Sequence, residues 1–181
     1  MDYYYLVSSL PMISFAQADS MTMTLEKFTE LCRENLTRKD WDTFEKTSLT
    51  GEVDPKASKV EKAFRIWDIN LRNAILSRRC SQQEASAYRQ EEQEFFAEID
   101  GLIQEANSKS NPLEREIFLD ELRVKKIDEI TAQNRFDIEF LCAFKLKLIL
   151  ISKYRKLSIE SGEENFNLLV DDIIKNSNLT E

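Results

Sequence analysis

Residues 136–157 read FDIEFLCAFKLKLILISKYRKL, and as a helix this stretch carries apolar side chains on almost every side. A helix that is apolar nearly all round is buried in a core or in a membrane. Charged residues interrupt the run far short of the roughly 20 apolar residues that a membrane span requires; they are Asp137, Glu139, Lys145 and Lys147. The stretch is therefore predicted to be the central helix of an all-α domain, with no direct insertion into a membrane.

The composition favours one helix-rich globular domain without catalytic chemistry. The 181 residues include only three Gly and three Pro, and 32% of them are charged, which is typical of helical chains. The net charge of −8 at pH 7 argues against nucleic acid as a partner. Histidine is absent, which removes the commonest general base and metal ligand. No phosphate-binding loop or zinc motif occurs, so no catalytic, cofactor or metal residue is predicted.

Apolar spacing and capping residues predict a bundle of about six or seven helices with long central antiparallel helices. Residues 1–20 are expected to form an N-terminal arm. They are not interpreted as a signal peptide, because they lack its basic start. Residues 24–56 form a small helical subregion, and residues 58–181 form the long-helix bundle. The predicted helices cover residues 24–36, a short segment at Trp41 and Phe44, then 58–79, 81–106, 111–133, the central stretch, and a last segment beginning near Ser161.

The cysteines indicate a reducing compartment. Cys32, Cys80 and Cys142 are far apart and odd in number, and no CxxC motif occurs. This pattern predicts a cytoplasmic protein without a disulfide framework. Cys32 and Cys142 lie among apolar residues and are expected in the core.

Charge is distributed unevenly along the chain. Residues 84–105 hold seven acidic residues and one basic residue, whereas residues 145–156 hold five basic residues and no acid. Two interpretations are open: ordinary solvated helix faces, packed side by side, or two docking patches. Under the second interpretation the candidate docking residues are Lys145, Lys147, Lys153, Arg155 and Lys156. Farther upstream, Asp68 is expected to pair with Arg65 or Arg72 on its own helix.

Several segments resemble proteins of V-type ATPases. The aromatic start YYYLVSSLPMISF and the following MTLEKFTELCRENLTRKDW resemble a family of bacterial proteins associated with V-type ATPases. The segment FRIWDINLRNAILSRR is similar to a helix of the C subunit of the V-type and archaeal-type ATPases, whose eukaryotic counterpart is the d subunit. Residues 111–154 resemble the paired long helices of the same bacterial family. Together these segments cover most of the chain.

The resemblance implies a non-catalytic stalk component. The C subunit lies between the membrane ring and the central rotor shaft and transmits torque by contact. Its polar positions correspond here to Asp68, Asn70, Arg72 and Asn73, which become candidate partner-binding residues. The implied partners are other V-type ATPase subunits of the central stalk, with the membrane ring as a further candidate, and the implied location is peripheral to the membrane. The chain is about half as long as a full C subunit, and this difference in length argues against direct replacement of that subunit.

Two alternatives belong to other functional classes. The first is a helical adaptor or scaffold, unrelated to ATPases, that forms a homodimer through exposed apolar surface. The second is a hydrolase with a pair of carboxylates from distant segments. It would require a deep cleft that holds two acids from separate helices.

Overall fold

The computed structural model describes residues 3–15, 18, 21–51, 53–91, 94–154 and 170 of the chain. These residues form eight helices and no strand, which confirms the predicted all-α fold. No helix among them is both long enough and apolar enough to cross a membrane. In chain order the helices are α1 (Tyr4–Ser8), α2 (Leu25–Asn35), α3 (Arg38–Lys46), α4 (Lys59–Arg79), α5 (Gln82–Tyr88), α6 (Ile99–Ser108), α7 (Pro112–Ile130) and α8 (Ile138–Ser152).

Side-chain caps explain why several helices begin where the sequence predicts. The side chains of Thr24 and Ser58 accept hydrogen bonds from backbone amides in the first turns of α2 and α4. Ser81 and Glu84 form a reciprocal capping box at α5, and Asn111 caps α7 just before its proline. Each cap satisfies an amide that has no partner within the helix.

Helix α7 packs antiparallel to both of the other long helices, α4 and α8. Asp128 of α7 pairs with Lys147 of α8. Asp120, earlier in α7, pairs with Lys153, the residue directly after α8. Because the earlier residue of one helix meets the later residue of the other, α7 and α8 run in opposite directions. The ion pairs between α4 and α7 follow the same reversed order, so α4 and α8 run in the same direction.

Helix α8 contributes to two hydrophobic clusters, which explains why it carries apolar side chains on almost every side. One cluster contains buried side chains of α4, α6 and α7, and the other contains those of α1, α2 and α3. The first receives Ala143, Leu146 and Leu150 from α8; the second receives Leu141, Cys142, Phe144, Leu148 and Ile151. The small N-terminal subregion and the long-helix bundle therefore pack on opposite sides of one helix.

The prediction of one continuous helix over residues 81–106 is wrong. The chain leaves the helix after Tyr88 and re-enters it at Ile99. Asn73 of α4 explains part of this break, because its side chain donates to the carbonyl of Gln90 and accepts from the amide of the same residue. A tertiary contact thus replaces helical hydrogen bonds there. Tyr88 and Phe95, on either side of this break, are 76% and 82% exposed.

Smaller differences concern the ends of the chain. The N-terminal arm contains the short helix α1, whose Tyr4 ring stacks on Phe136 with ring centroids 4.3 Å apart. The central helix begins at Ile138 rather than Phe136 because Asp137 caps it, accepting from the amide of Phe140. The predicted last helix from Ser161, apart from Val170, lies outside the described residues.

Candidate functional site

A buried ion network joins the long helices. Asp68, almost fully buried on α4, accepts a hydrogen bond from Nε of Arg72 at 2.6 Å and another from Nε of Arg123 at 2.8 Å. The pairing with Arg72 confirms the predicted ion partner one turn along the same helix. Arg65, the other predicted partner, instead donates to the carbonyls of Leu49 and Gly51.

Asp120 of α7 forms the second centre of this network. Its buried carboxylate accepts from Nη1 of Arg123 at 2.7 Å, from Nζ of Lys153 at 3.2 Å and from the hydroxyl of Tyr154 at 2.9 Å. Asp68 and Asp120 therefore share Arg123, which bridges α4 and α7. The ion network thus consists of Asp68, Arg72, Asp120, Arg123, Lys153 and Tyr154.

The electrostatics of the network fix the protonation states of Arg123 and Tyr154. Burial alone would lower the pKa of Arg123, but its attraction to Asp68 and Asp120 outweighs burial and raises that pKa above its ordinary value. Burial and then the hydrogen bond to Asp120 raise the pKa of Tyr154. Arg123 is thus firmly cationic and Tyr154 remains a neutral donor at physiological pH.

A cleft of about 450 Å³ opens beside the network, between α4, α7 and α8. Its apolar surface includes Phe64, Leu119 and Leu150, and the loop at Leu49 closes one side. The charged side chains that line it are Asp68, Arg72, Arg79, Glu116, Arg123 and Lys153. A volume of this size is typical of small-molecule sites, which span about 300–1,000 Å³.

The cleft brings together two acids from separate helices, as the hydrolase hypothesis requires. Asp68 comes from α4 and Glu116 from α7. However, Asp68 is held by two arginines, and Glu116 lies 3.6 Å from Nη2 of Arg79. These pairings occupy carboxylate oxygens that an acid–base pair needs free. In the described part of the chain no group of three or more Cys, Asp or Glu side chains could hold a metal ion.

The candidate residues on α4 have internal partners. Asp68 and Arg72 belong to the ion network, and buried Asn73 holds the backbone of Gln90. Asn70, also buried, donates to the carbonyl of Ile66 one turn earlier. Arg72 alone of the four keeps half of its side chain exposed. Their role in binding a partner stays a prediction.

The described basic residues in and directly after α8 contact different parts of the fold. Lys145 donates to the carbonyls of Phe44 and Glu45 at the end of α3. Lys147 pairs with Asp128 at 2.6 Å, and Lys153 joins the ion network. Three different parts of the fold therefore engage the described lysines.

The other two members of the predicted basic docking surface are Arg155 and Lys156. Both lie outside the described residues. The role of all five basic residues in docking stays a prediction.

Three members of the ion network, Arg123, Asp120 and Tyr154, were not predicted from the sequence as site residues. One signal was available in the sequence. Arg123 lies three residues after Asp120 and four before Ile127, so all three share one face of α7, and Ile127 is fully buried. Charged residues on the apolar face of a helix indicate buried pairing. However, Asp68, the partner of Arg123 on α4, lies 55 positions earlier in the sequence, and a helical pattern does not reveal such a contact.

Comparison with known proteins places the chain in a family. Residues 53–177 match the family described as "Protein of unknown function (DUF2764)". No curated protein and no solved structure matches the chain. The matched region contains α4 to α8, and thus both carboxylates of the ion network and the helices that form the cleft. Since the match covers more than half of the sequence, the chain belongs to the DUF2764 family.

Proposed function

We propose that this protein is a non-catalytic subunit or accessory protein of a V-type ATPase. Its role would resemble that of the C subunit, which couples the central rotor shaft to the membrane ring. The observation that carries the proposal is the resemblance of residues 64–79 and 111–154 to helices of such proteins. These residues form α4, α7 and α8, the helices that enclose the cleft and that the ion network braces.

The packing of these helices supports a mechanical role. A component that transmits torque must resist deformation between its two contact surfaces. Here α4, α7 and α8 pack against one another through a continuous apolar cluster, and Arg123 of α7 forms an ion pair with Asp68 of α4. Closely packed interiors have low compressibility and transmit strain. The described fold is thus suited to act as a stiff spacer that is peripheral to the membrane.

A pull-down tests this proposal directly. The full chain, tagged at its C-terminus, would be expressed in cells that contain a V-type ATPase and recovered at low ionic strength. We expect mass spectrometry to detect central-stalk subunits at near-stoichiometric amounts, and to lose them at high salt if charged faces dock. Recovery of the folded chain with no ATPase subunit would refute the proposal.

A homodimeric adaptor is the second candidate, and exposed apolar side chains near the N-terminus favour it. Tyr5 and Met12 are 95% and 86% exposed, and Tyr4 is half exposed. Exposed apolar clusters often mark interfaces. Light scattering distinguishes the two functions: a stable dimer that the double substitution Tyr5→Ser/Met12→Ser converts to a monomer, with no ATPase subunit recovered, would support the adaptor.

A further inference from the structure

We propose that the cleft between α4, α7 and α8 binds an amphiphilic anion. The ligand would have an apolar body the size of a medium-length acyl chain and one carboxylate or phosphate head group. This site is independent of the ATPase proposal, since it concerns a small molecule rather than a protein partner. Three features of the cleft carry the inference: its apolar interior, its half-exposed cations and its local excess of positive charge.

The interior of the cleft suits an apolar body. Ile75 and Ile149 are partly exposed and supply apolar surface that water reaches, and the almost fully buried side chains of Phe64, Leu119 and Leu150 lie behind them. Covering such surface is favourable by about 25 cal/mol per Å² of apolar area removed from water. A bare inorganic anion would leave this surface wet, whereas an acyl chain would cover it.

The cations lie where a head group can reach them. The side chains of Arg72, Arg79 and Lys153 are 50%, 56% and 53% exposed, although each pairs with an acid. The carboxylates of Asp68 and Asp120 lie behind them and are almost fully buried. Glu116, the partner of Arg79, is exposed to a similar degree, so a ligand entering from solvent meets three cations and one carboxylate before it reaches the buried acids.

Arg72 keeps hydrogen-bond donors that have no acceptor among the described residues. Its Nε binds Asp68, whereas Nη1 and Nη2 donate to no acceptor among the described residues. A guanidinium with two free terminal amino groups matches the paired oxygens of a carboxylate or phosphate.

The local charge selects an anion. Among the described residues, four cationic side chains and two acidic ones line the cleft. Buried Asp120 pairs with two of those cations, which leaves one positive charge in excess, in a chain whose net charge is −8. A concave site with low-dielectric walls focuses such a local potential. The acidic remainder of the molecule disfavours extended polyanions such as nucleic acid, so a single anionic group with an apolar tail is the complementary ligand.

Calorimetric titration of the full chain tests the ligand class. Decanoate and decyl phosphate, both below their micellar concentrations, supply the two head groups on the same tail. Decanol lacks the charge, and inorganic phosphate lacks the tail. We expect saturable one-to-one binding of at least one of the two amphiphiles, about tenfold or more tighter than either decanol or phosphate. No saturable binding of either amphiphile, or equal binding of decanol, would overturn the proposal.

Matched variants test the site. Arg79→Gln removes a cleft cation whose partner Glu116 is itself half exposed, so folding should persist; Arg72→Gln removes the guanidinium with free donors. Arg38→Gln makes the same charge change on an exposed residue of α3. We expect Arg72→Gln to weaken binding about tenfold and Arg79→Gln less strongly, with no change for Arg38→Gln. If Arg72→Gln does not fold, Arg79→Gln decides alone; equal affinities for Arg79→Gln and Arg38→Gln would contradict the site.

Discussion

The three thiols differ in burial, and this difference determines their reactivity. Cys32 and Cys142 are completely buried, and burial raises the pKa of each thiol to about 12. Cys80 follows α4 and is partly exposed. Because the thiolate is the nucleophile, we expect a disulfide reagent at pH 8 to modify Cys80 rapidly and the other two only on unfolding.

The variant Cys80→Ser provides the control for thiol reactivity. It should abolish the fast phase of labelling in the native protein and leave two thiols that react in denaturant. A fast phase that survives this substitution would show that a buried thiol is accessible in the native state.

Glu61 gives the molecule a definite pH dependence. Desolvation raises the pKa of this buried carboxyl above its ordinary 4.5, although the amide of Ser48 donates to it. The folded chain therefore binds this proton more tightly than the unfolded chain. The contribution of Glu61 to stability is present below pH 4.5 and is lost as the pH rises through the folded pKa.

The substitution Glu61→Gln removes this titration while keeping an oxygen for the Ser48 amide. We expect the free energy of unfolding of the natural protein to fall relative to that of the variant as the pH rises from 4.5 towards 7. Urea denaturation at several pH values measures the difference. A difference that is constant, or that changes in the opposite direction, would show that burial does not control this carboxyl.

At the scale of the helices, Lys145 contacts the C-terminal end of α3. Its ammonium donates to the carbonyls of Phe44 and Glu45 at 2.7 and 3.1 Å, and it lies over the Phe44 ring. Carbonyls at the end of a helix lack partners within it. We expect Lys145→Met to lower the free energy of unfolding by about 1–2 kcal/mol and to speed amide exchange in α3.

A matched control exists on the same helix. Lys147 pairs with Asp128, whose side chain is more than half exposed, so Lys147→Met should change stability by less than about 1 kcal/mol. It should also leave exchange in α3 unchanged. Equal effects of the two substitutions on α3 would mean that the contact to Phe44 and Glu45 does not stabilise that helix.

The helices also show which features a single sequence can predict. Capping residues such as Ser58 and Asn111 act locally, so the starts of α4 and α7 could be read from the chain. The break after α5 could not, because the polar run before Phe95 is compatible with a helix. It depends on Asn73, which lies 17 positions from Gln90, and no local pattern contains that contact.

For the whole molecule, apolar periodicity was informative and ion pairing was not. The apolar side chains on almost every side of residues 136–157 indicated neighbours on several sides, and α8 indeed lies between two clusters. By contrast, the candidate residues Asp68 and Lys153 were identified separately, and their connection through Asp120 and Arg123 did not follow from either. An ion pair between distant helices leaves no periodic signal, so the link from Arg123 to Asp68 becomes visible only when α4 and α7 are placed side by side.

The ion network should make the stability of the long-helix bundle depend on Arg123. This side chain contacts both Asp68 and Asp120, and both carboxylates are almost fully buried. Arg123→Met would remove that shared cation and leave buried negative charge undercompensated. We expect the free energy of unfolding at pH 7 to fall by about 3–5 kcal/mol.

A compensated variant separates the loss of charge pairing from the loss of packing. Asp68→Leu/Asp120→Leu/Arg123→Met replaces the buried charges with apolar side chains, while Arg72 and Lys153 can turn towards solvent because half of each is already exposed. Apolar replacement of a complete buried ion network is often neutral or stabilising, so this variant should recover most of the stability lost by Arg123→Met. Urea denaturation of both variants makes the comparison. A triple variant less stable than Arg123→Met would mean that the network contributes more than the cost of burying its charges.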